Sequence, residues 1–142
     1  MGKKRIVTTE EKAGEATKEN KTSSKKKVLE AGILHIESTY NNTKLLLTDK
    51  KGNAIMSSSS GKLGFKGAKK GTPFASAKVG ETLGLLAHEM GLKEVSVVVK
   101  GVGSGRESAI RGFISKGANL TSIKDITPVP HNGPKPKKPR RV

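Results

Sequence analysis

The stretch Glu94-Val95-Ser96-Val97-Val98-Val99-Lys100-Gly101-Val102-Gly103-Ser104-Gly105-Arg106-Glu107 decides how this chain folds. Its valine run, bounded by charge, reads as a strand buried in a sheet. Gly101, Gly103 and Gly105 then turn the chain. Ser104 and Glu107 have the spacing of a capping box, so a helix is expected after Ser104. Ala109, Ile110, Phe113 and Ile114 form its apolar face, and Gly117 is its expected stop. Thr121–Thr127, with Ile123 and Ile126, reads as the strand to which the chain returns. A strand–helix–strand crossover places parallel strands at that side of the sheet.

Upstream, Ala75, Val79, Leu83, Leu86 and Met90 recur at helical spacing. Thr72-Pro73 supplies a cap followed by proline at the first helical position, and Gly91 ends the helix. Before it lie three strands in a meander. Ile33, His35 and Glu37 alternate with Leu34, Ile36 and Ser38. Tyr40-Asn41-Asn42 is a turn. Thr43–Thr48, with Leu45-Leu46-Leu47, reads as a strand covered on both faces. Asp49-Lys50-Lys51-Gly52 is a hairpin turn with glycine where positive φ is needed, and Asn53–Ser58 is the third strand. The expectation is one α/β domain over 32–127 with a mixed sheet. A polar arm without periodicity, 1–31, precedes it, read as disordered.

The last segment, 128–142, is rich in proline and holds Lys135, Lys137, Lys138, Arg140 and Arg141 with no acid. It cannot bury enough apolar surface to repay its ordering entropy. An extended cationic tail needs a polyanion to lie against, and each neutralised nucleic-acid phosphate releases condensed counterions. The whole chain agrees: 28 Lys+Arg face 12 Asp+Glu, a net +16 on 142 residues. Residues 32–127 alone carry fourteen bases and seven acids, so the body is basic as well as the tail. Such a balance favours a partner that surrounds the protein. With no cysteine, disulfides and thiolate zinc sites are excluded. No apolar run is long enough to span a membrane and no secretory signal is evident, so a cytoplasmic location is expected. Only Tyr40, Phe65, Phe74 and Phe113 are aromatic, which points to contacts with phosphate, sugar and shape more than to stacked bases.

Gly61 to Gly71 holds four glycines and four lysines (Lys62, Lys66, Lys69, Lys70), a loop able to approach another backbone closely. It is not an NTPase phosphate loop. Gly101-x-Gly103-x-Gly105 lacks the last glycine of a dinucleotide fingerprint, because Arg106 stands there. The reading is a turn that grips nucleic-acid phosphate with backbone N–H groups and Arg106 as donors. His35, His88 and His131 are far apart, and no metal is expected. Glu37, Asp49 and Asp125 would have to meet at one end of the sheet to bind magnesium, and nothing in their spacing requires it. No cofactor and no enzymatic activity are expected. A nonspecific DNA-compacting protein and a metal-dependent nuclease are the rival readings. His131-Asn132-Gly133 is a turn that aims the tail.

On these residues the chain, from about Gly32 to Val142, resembles the ribosomal protein S-eleven family of the bacterial small-subunit platform. The resemblance is carried by Tyr40-Asn41-Asn42-Thr43, the serine-rich strand running into Gly61–Gly71, Thr72-Pro73-Phe74-Ala75, Lys100–Arg111, and Asp125-Ile126-Thr127-Pro128-Val129-Pro130-His131-Asn132-Gly133 before a basic terminus. It implies a ribonuclease-H-like three-layer sandwich with a mixed five-stranded sheet. It implies a structural role: binding small-subunit rRNA and bridging its helices near the Shine–Dalgarno cleft. It implies the seventh and eighteenth small-subunit proteins as neighbours, with mRNA and initiation factor three close by, and no homo-oligomer. Carried over by position, the RNA-facing residues are Asn41, Asn42, Thr43 and Lys44, the four loop lysines, Gly103, Ser104, Arg106 and Arg111. In the tail they are His131, Asn132, Lys135, Lys137, Lys138, Arg140 and Arg141. Pro134 and Lys135 stand where the family often has Cys and Arg, and lysine lacks the fork with which arginine grips phosphate.

Overall fold

Alternating burial along the first strand sets the two faces of the sheet. In β1 (Ala31–Ser38) Leu34 and Ile36 are fully buried, whereas Ile33 and His35 are only partly covered and Glu37 is exposed. The computed structural model describes residues 28–139. After β1 come β2 (Thr43–Asp49), β3 (Ala54–Ser59), α1 (Pro73–Glu89), β4 (Glu94–Lys100), α2 (Arg106–Ile114) and β5 (Asn119–Asp125), with a short 3-10 turn at Gly67–Gly71. The sheet order is β3-β2-β1-β4-β5. The meander is antiparallel, while β1–β4 and β4–β5 are parallel, as crossover helices require.

Register aligns one apolar face. Leu34 sits opposite Leu47 on one side and Val97 on the other; Ile36 sits opposite Leu45 and Val99. Val79, Leu83 and Ala87 of α1 and Ala109 and Phe113 of α2 close over them in a single cluster. Each fully buried aliphatic or aromatic side chain contributes about 1.5–3 kcal/mol, so this cluster holds the fold. The helices approach closely because Gly80 faces the Ala109 carbonyl, where a Cβ would collide with backbone.

Five expectations change. Both helices lie on one face, so the described residues form two layers and not three. Leu46 is therefore only partly buried, although its strand was expected to be covered on both sides. Ala87, not Leu86, completes the inward row of α1, because steps of four from Val79 reach it; Leu86 points outward. Ser104 does not cap α2. Gly105 occupies the cap position without a side-chain bond, and the Ser104 hydroxyl donates to the Gly71 carbonyl at 3.0 Å. The expected arm 1–31 lies outside the described residues up to 27. Its end belongs to the fold, because the Leu29 N–H donates to Met90 O at 3.2 Å and its side chain packs on the core.

Candidate nucleic-acid interface

Strand direction gathers the loops. β1, β3, β4 and β5 all end, and β2 begins, at the same end of the sheet. The turn at 39–42, the loop at 60–72, the glycine turn at 101–105 and the tail therefore leave the sheet together. Both helices also start there, turning the positive end of their dipoles toward the loops. Open α/β sheets place their ligands at this end.

The loops are tied to one another. The Gly103 N–H donates to Ser38 O at 2.9 Å, and the Ser104 hydroxyl reaches Gly71. Gly71 lies against the Tyr40 carbonyl with no room for a Cβ. Beneath them is a layer of buried hydroxyls. Thr43 Oγ1 and Ser76 Oγ are 2.7 Å apart, and Ser76 Oγ donates to Thr72 O at 3.1 Å. Thr72 Oγ1 accepts from the Ala75 N–H, so the cap that starts α1 also anchors this layer.

The expected RNA-facing residues divide accordingly. Asn41 and Lys44 are exposed, and Asn42 is half-buried, its Oδ1 lacking a hydrogen-bond partner among the described residues. Lys62, Lys66 and Lys69 are exposed and Lys70 is half-buried; Lys62 Nζ also donates to Ser57 O at 3.3 Å. Ser104 is exposed. Three assignments are corrected. Thr43 is fully buried in the hydroxyl layer, so it supports the turn from beneath. Gly103 is buried and its N–H is spent on Ser38. Arg106 is not free for phosphate: its guanidinium donates to Gly101 O and to the Asp125 carboxylate. Arg111 lies further along α2, exposed and 3.9 Å from Glu107, outside the gathered loops. His131, Asn132, Lys135, Lys137 and Lys138 are all exposed, with Asn132 in the left-handed region at φ 55°. Arg140 and Arg141 lie outside the described residues.

Folding adds residues that the sequence reading left out. Tyr40 is 79% and Phe74 65% exposed, both at the loop end. Phe65 packs edge-on against Phe74 with ring centres 6.2 Å apart, and Lys78 Nζ lies 5.7 Å from the Phe74 centre. Three of the four aromatics thus gather where bases could stack. Lys100, opposite Glu37 in the register, joins Lys44 and Lys62 around a groove of about 530 Å³ on the helix-free face. The signal for Lys100 was its place at the end of β4; nothing in the sequence marked Tyr40 or Phe74 as neighbours.

The carboxylates do not converge. Asp49 pairs near the start of β1 and Glu37 lies near its end, so Asp49 is at the opposite end of the sheet from Glu37 and Asp125. No group of three His, Cys, Asp or Glu among the described residues is placed to hold a metal ion. Asp125 is held well below the ordinary carboxylate range, first by the Thr127 hydroxyl, then by the Thr127 N–H and Arg106. No helix among the described residues is long and apolar enough to cross a membrane.

Among the described residues this architecture presents a cationic loop end and an exposed basic tail. The sequence model of one family, Ribosomal protein S11, matches residues 32–141, which takes in all five strands, both helices and most of the tail. The chain belongs to the ribosomal protein S11 family, and is accordingly a non-enzymatic, rRNA-binding structural constituent of the small ribosomal subunit that serves translation.

Proposed function

We propose that the loop end and the tail grip two separate segments of small-subunit rRNA and hold them in register on the platform. One observation carries the reading. Segments 39–42, 60–72 and 101–106 converge at one end of the sheet and bring Lys62, Lys66, Lys69 and Lys70 there, while Arg106 is held on Asp125. Phosphate contacts from the loop lysines and the positive ends of the helix dipoles position the RNA, and Tyr40 and Phe74 offer faces to unstacked bases. The exposed tail extends the contact to RNA beyond the reach of the folded body. The proposed neighbours are the seventh and eighteenth proteins of a bacterial small subunit, with mRNA and initiation factor three nearby, in the cytoplasm. The strand order, with β2 reversed, supports a ribonuclease-H-like arrangement lacking the second helical layer.

The test is binding to a platform fragment of small-subunit rRNA in competition with duplex DNA across a salt series. RNA binding that survives excess DNA is expected. Equal competition, with affinity collapsing uniformly as salt rises, overturns shape recognition and leaves only charge.

A further inference from the structure

The tail begins at a closed ring of hydrogen bonds. Arg106 donates through Nη1 to Gly101 O at 2.8 Å and through Nη2 to the Asp125 carboxylate. Asp125 Oδ1 accepts from the Thr127 N–H at 2.9 Å and from the Thr127 hydroxyl at 2.6 Å. The Gly101 N–H donates to Thr127 Oγ1 at 3.1 Å, which closes the ring. It joins the first residue of α2, the turn after β4 and the first residues past β5. The Ile126 N–H, donating to Val99 O at 2.9 Å, keeps the chain in line with β4 across the same point.

Pro128-Val129-Pro130 follow at once. Proline fixes its own φ and holds the preceding residue extended, so Thr127 and the next three residues are stiff. A stiff extended chain advances about 3.1 Å per residue and keeps its direction for several residues. The extended arm therefore runs from Thr127 to Pro130, roughly 9 Å, before the turn at His131 and Asn132 redirects the chain toward Lys135, the first base of the tail. A change of angle at the ring displaces every tail base.

We propose that Asp125 and Thr127 are positioning residues for the tail: with Arg106 they set the direction in which it leaves the sheet, and so strengthen RNA binding although Asp125 itself repels phosphate. The proposal rests on the RNA reading of the loop end and tail. Its sign separates it from electrostatics, because removing an acid should otherwise raise affinity for a polyanion.

The experiment uses full-length Asp125→Asn and Thr127→Val, neither of which alters an RNA-facing residue. In the free protein, backbone heteronuclear NOEs at Thr127 and Val129 should fall in both variants from values near those of β4. Affinity for the platform rRNA fragment should drop about tenfold, with a log–log salt slope shallower by about one to two units. The same substitutions are then made in a full-length chain whose five tail bases are glutamines. There the loss should disappear, since no tail charge remains to misplace. Unchanged NOEs overturn the ring's hold on the tail. Affinity that is unchanged or higher, or an equal loss without tail charge, overturns the positioning role. A wild-type chain that fails to bind the fragment overturns the RNA reading and the positioning role with it, while the NOE comparison still decides whether the ring orders the tail.

Discussion

The two ends of the sheet are built from the same strands and differ in charge, in the work their side chains do and in what their glycines are for. At the loop end, with strand and helix ends counted, Lys44, Lys62, Lys66, Lys69, Lys70, Lys100 and Arg106 outnumber Glu37, Glu107 and Asp125. At the far end, Glu30, Asp49, Glu89 and Glu94 stand among Lys50, Lys51, Lys93 and Lys116, four acids to four lysines. The far-end acid Asp49 is used up locally. It accepts from the N–H groups of Lys51 and Asn53 at 2.8 and 2.9 Å and from the Asn53 side chain at 2.8 Å. That end closes on itself, as a hairpin tip should. The loop end leaves Lys66 and Lys69 exposed without an acid partner among the described residues, which a stand-alone domain gains nothing by doing. Net charge alone does not separate a nucleic-acid protein from a merely basic one; its placement within the fold does.

The sharpest way to break this contrast is to remove equal charge from each end. Gln at Lys62, Lys66, Lys69 and Lys70 should lower rRNA affinity by about a hundred- to a thousandfold near physiological salt, and flatten the salt slope by roughly three. Gln at Lys50, Lys51, Lys93 and Lys116 should change affinity by less than about threefold, because those charges are already balanced where they sit. Equal losses in filter binding would abolish the distinction.

A glycine at each end sharpens it. Gly71→Ala drives a Cβ into the Tyr40 carbonyl and should cost about 2–3 kcal/mol in urea unfolding while also weakening RNA binding. Gly52→Ala has open space and meets only its φ of +91°, so about 1 kcal/mol is expected with binding unchanged. Tyr40→Ala comes next: losing one stacked base costs about 1–2 kcal/mol of binding and nothing in stability, since the ring is exposed. An unchanged affinity would leave the loop end purely electrostatic.

The smallest effect is acid dependence. Asp49 is held below its ordinary value, first by the Asn53 side chain, and Asp125 first by the Thr127 hydroxyl. Both folded values lie below the unfolded one near 3.9. Their contributions are thus complete above about pH 5 and are lost as pH falls through 4 and below. Melting temperature should decline over that window. Asp49→Asn should flatten its share without touching RNA binding at neutral pH, whereas Asp125→Asn should also release the tail. Identical binding by the two variants would return Asp125 to the status of an ordinary turn residue.

Periodicity exposed most of the fold. The valine run of β4, the capped start of α1 at Thr72-Pro73 and the hairpin at Asp49–Gly52 all stand where local chemistry put them. Local chemistry also misled. Ser104 and Glu107 have capping-box spacing, but Ser104 has a better use bridging to Gly71, thirty-three residues away in sequence. Leu46 sits in an apolar run, yet whether its face is covered depends on where two helices dock. The loop lysines were legible because charge tolerates no burial without a partner. Thr43, Gly103 and Arg106 were not, because each lies in an exposed-looking turn and is claimed by a neighbour from another part of the chain.

Composition and local pattern were enough to determine a basic α/β domain, its strand and helix sequence, and a proline-stiffened cationic tail. These follow from the hydrophobic period, turn chemistry and charge, which act over a few residues. Tertiary structure alone decided that both helices share one face, that three loops and the tail leave from one end, and that Arg106 is bound to Asp125. Those outcomes depend on strand order and direction. Pairing β1 with both β2 and β4 brings together residues tens of positions apart, and no local rule encodes which polar group will find which partner there.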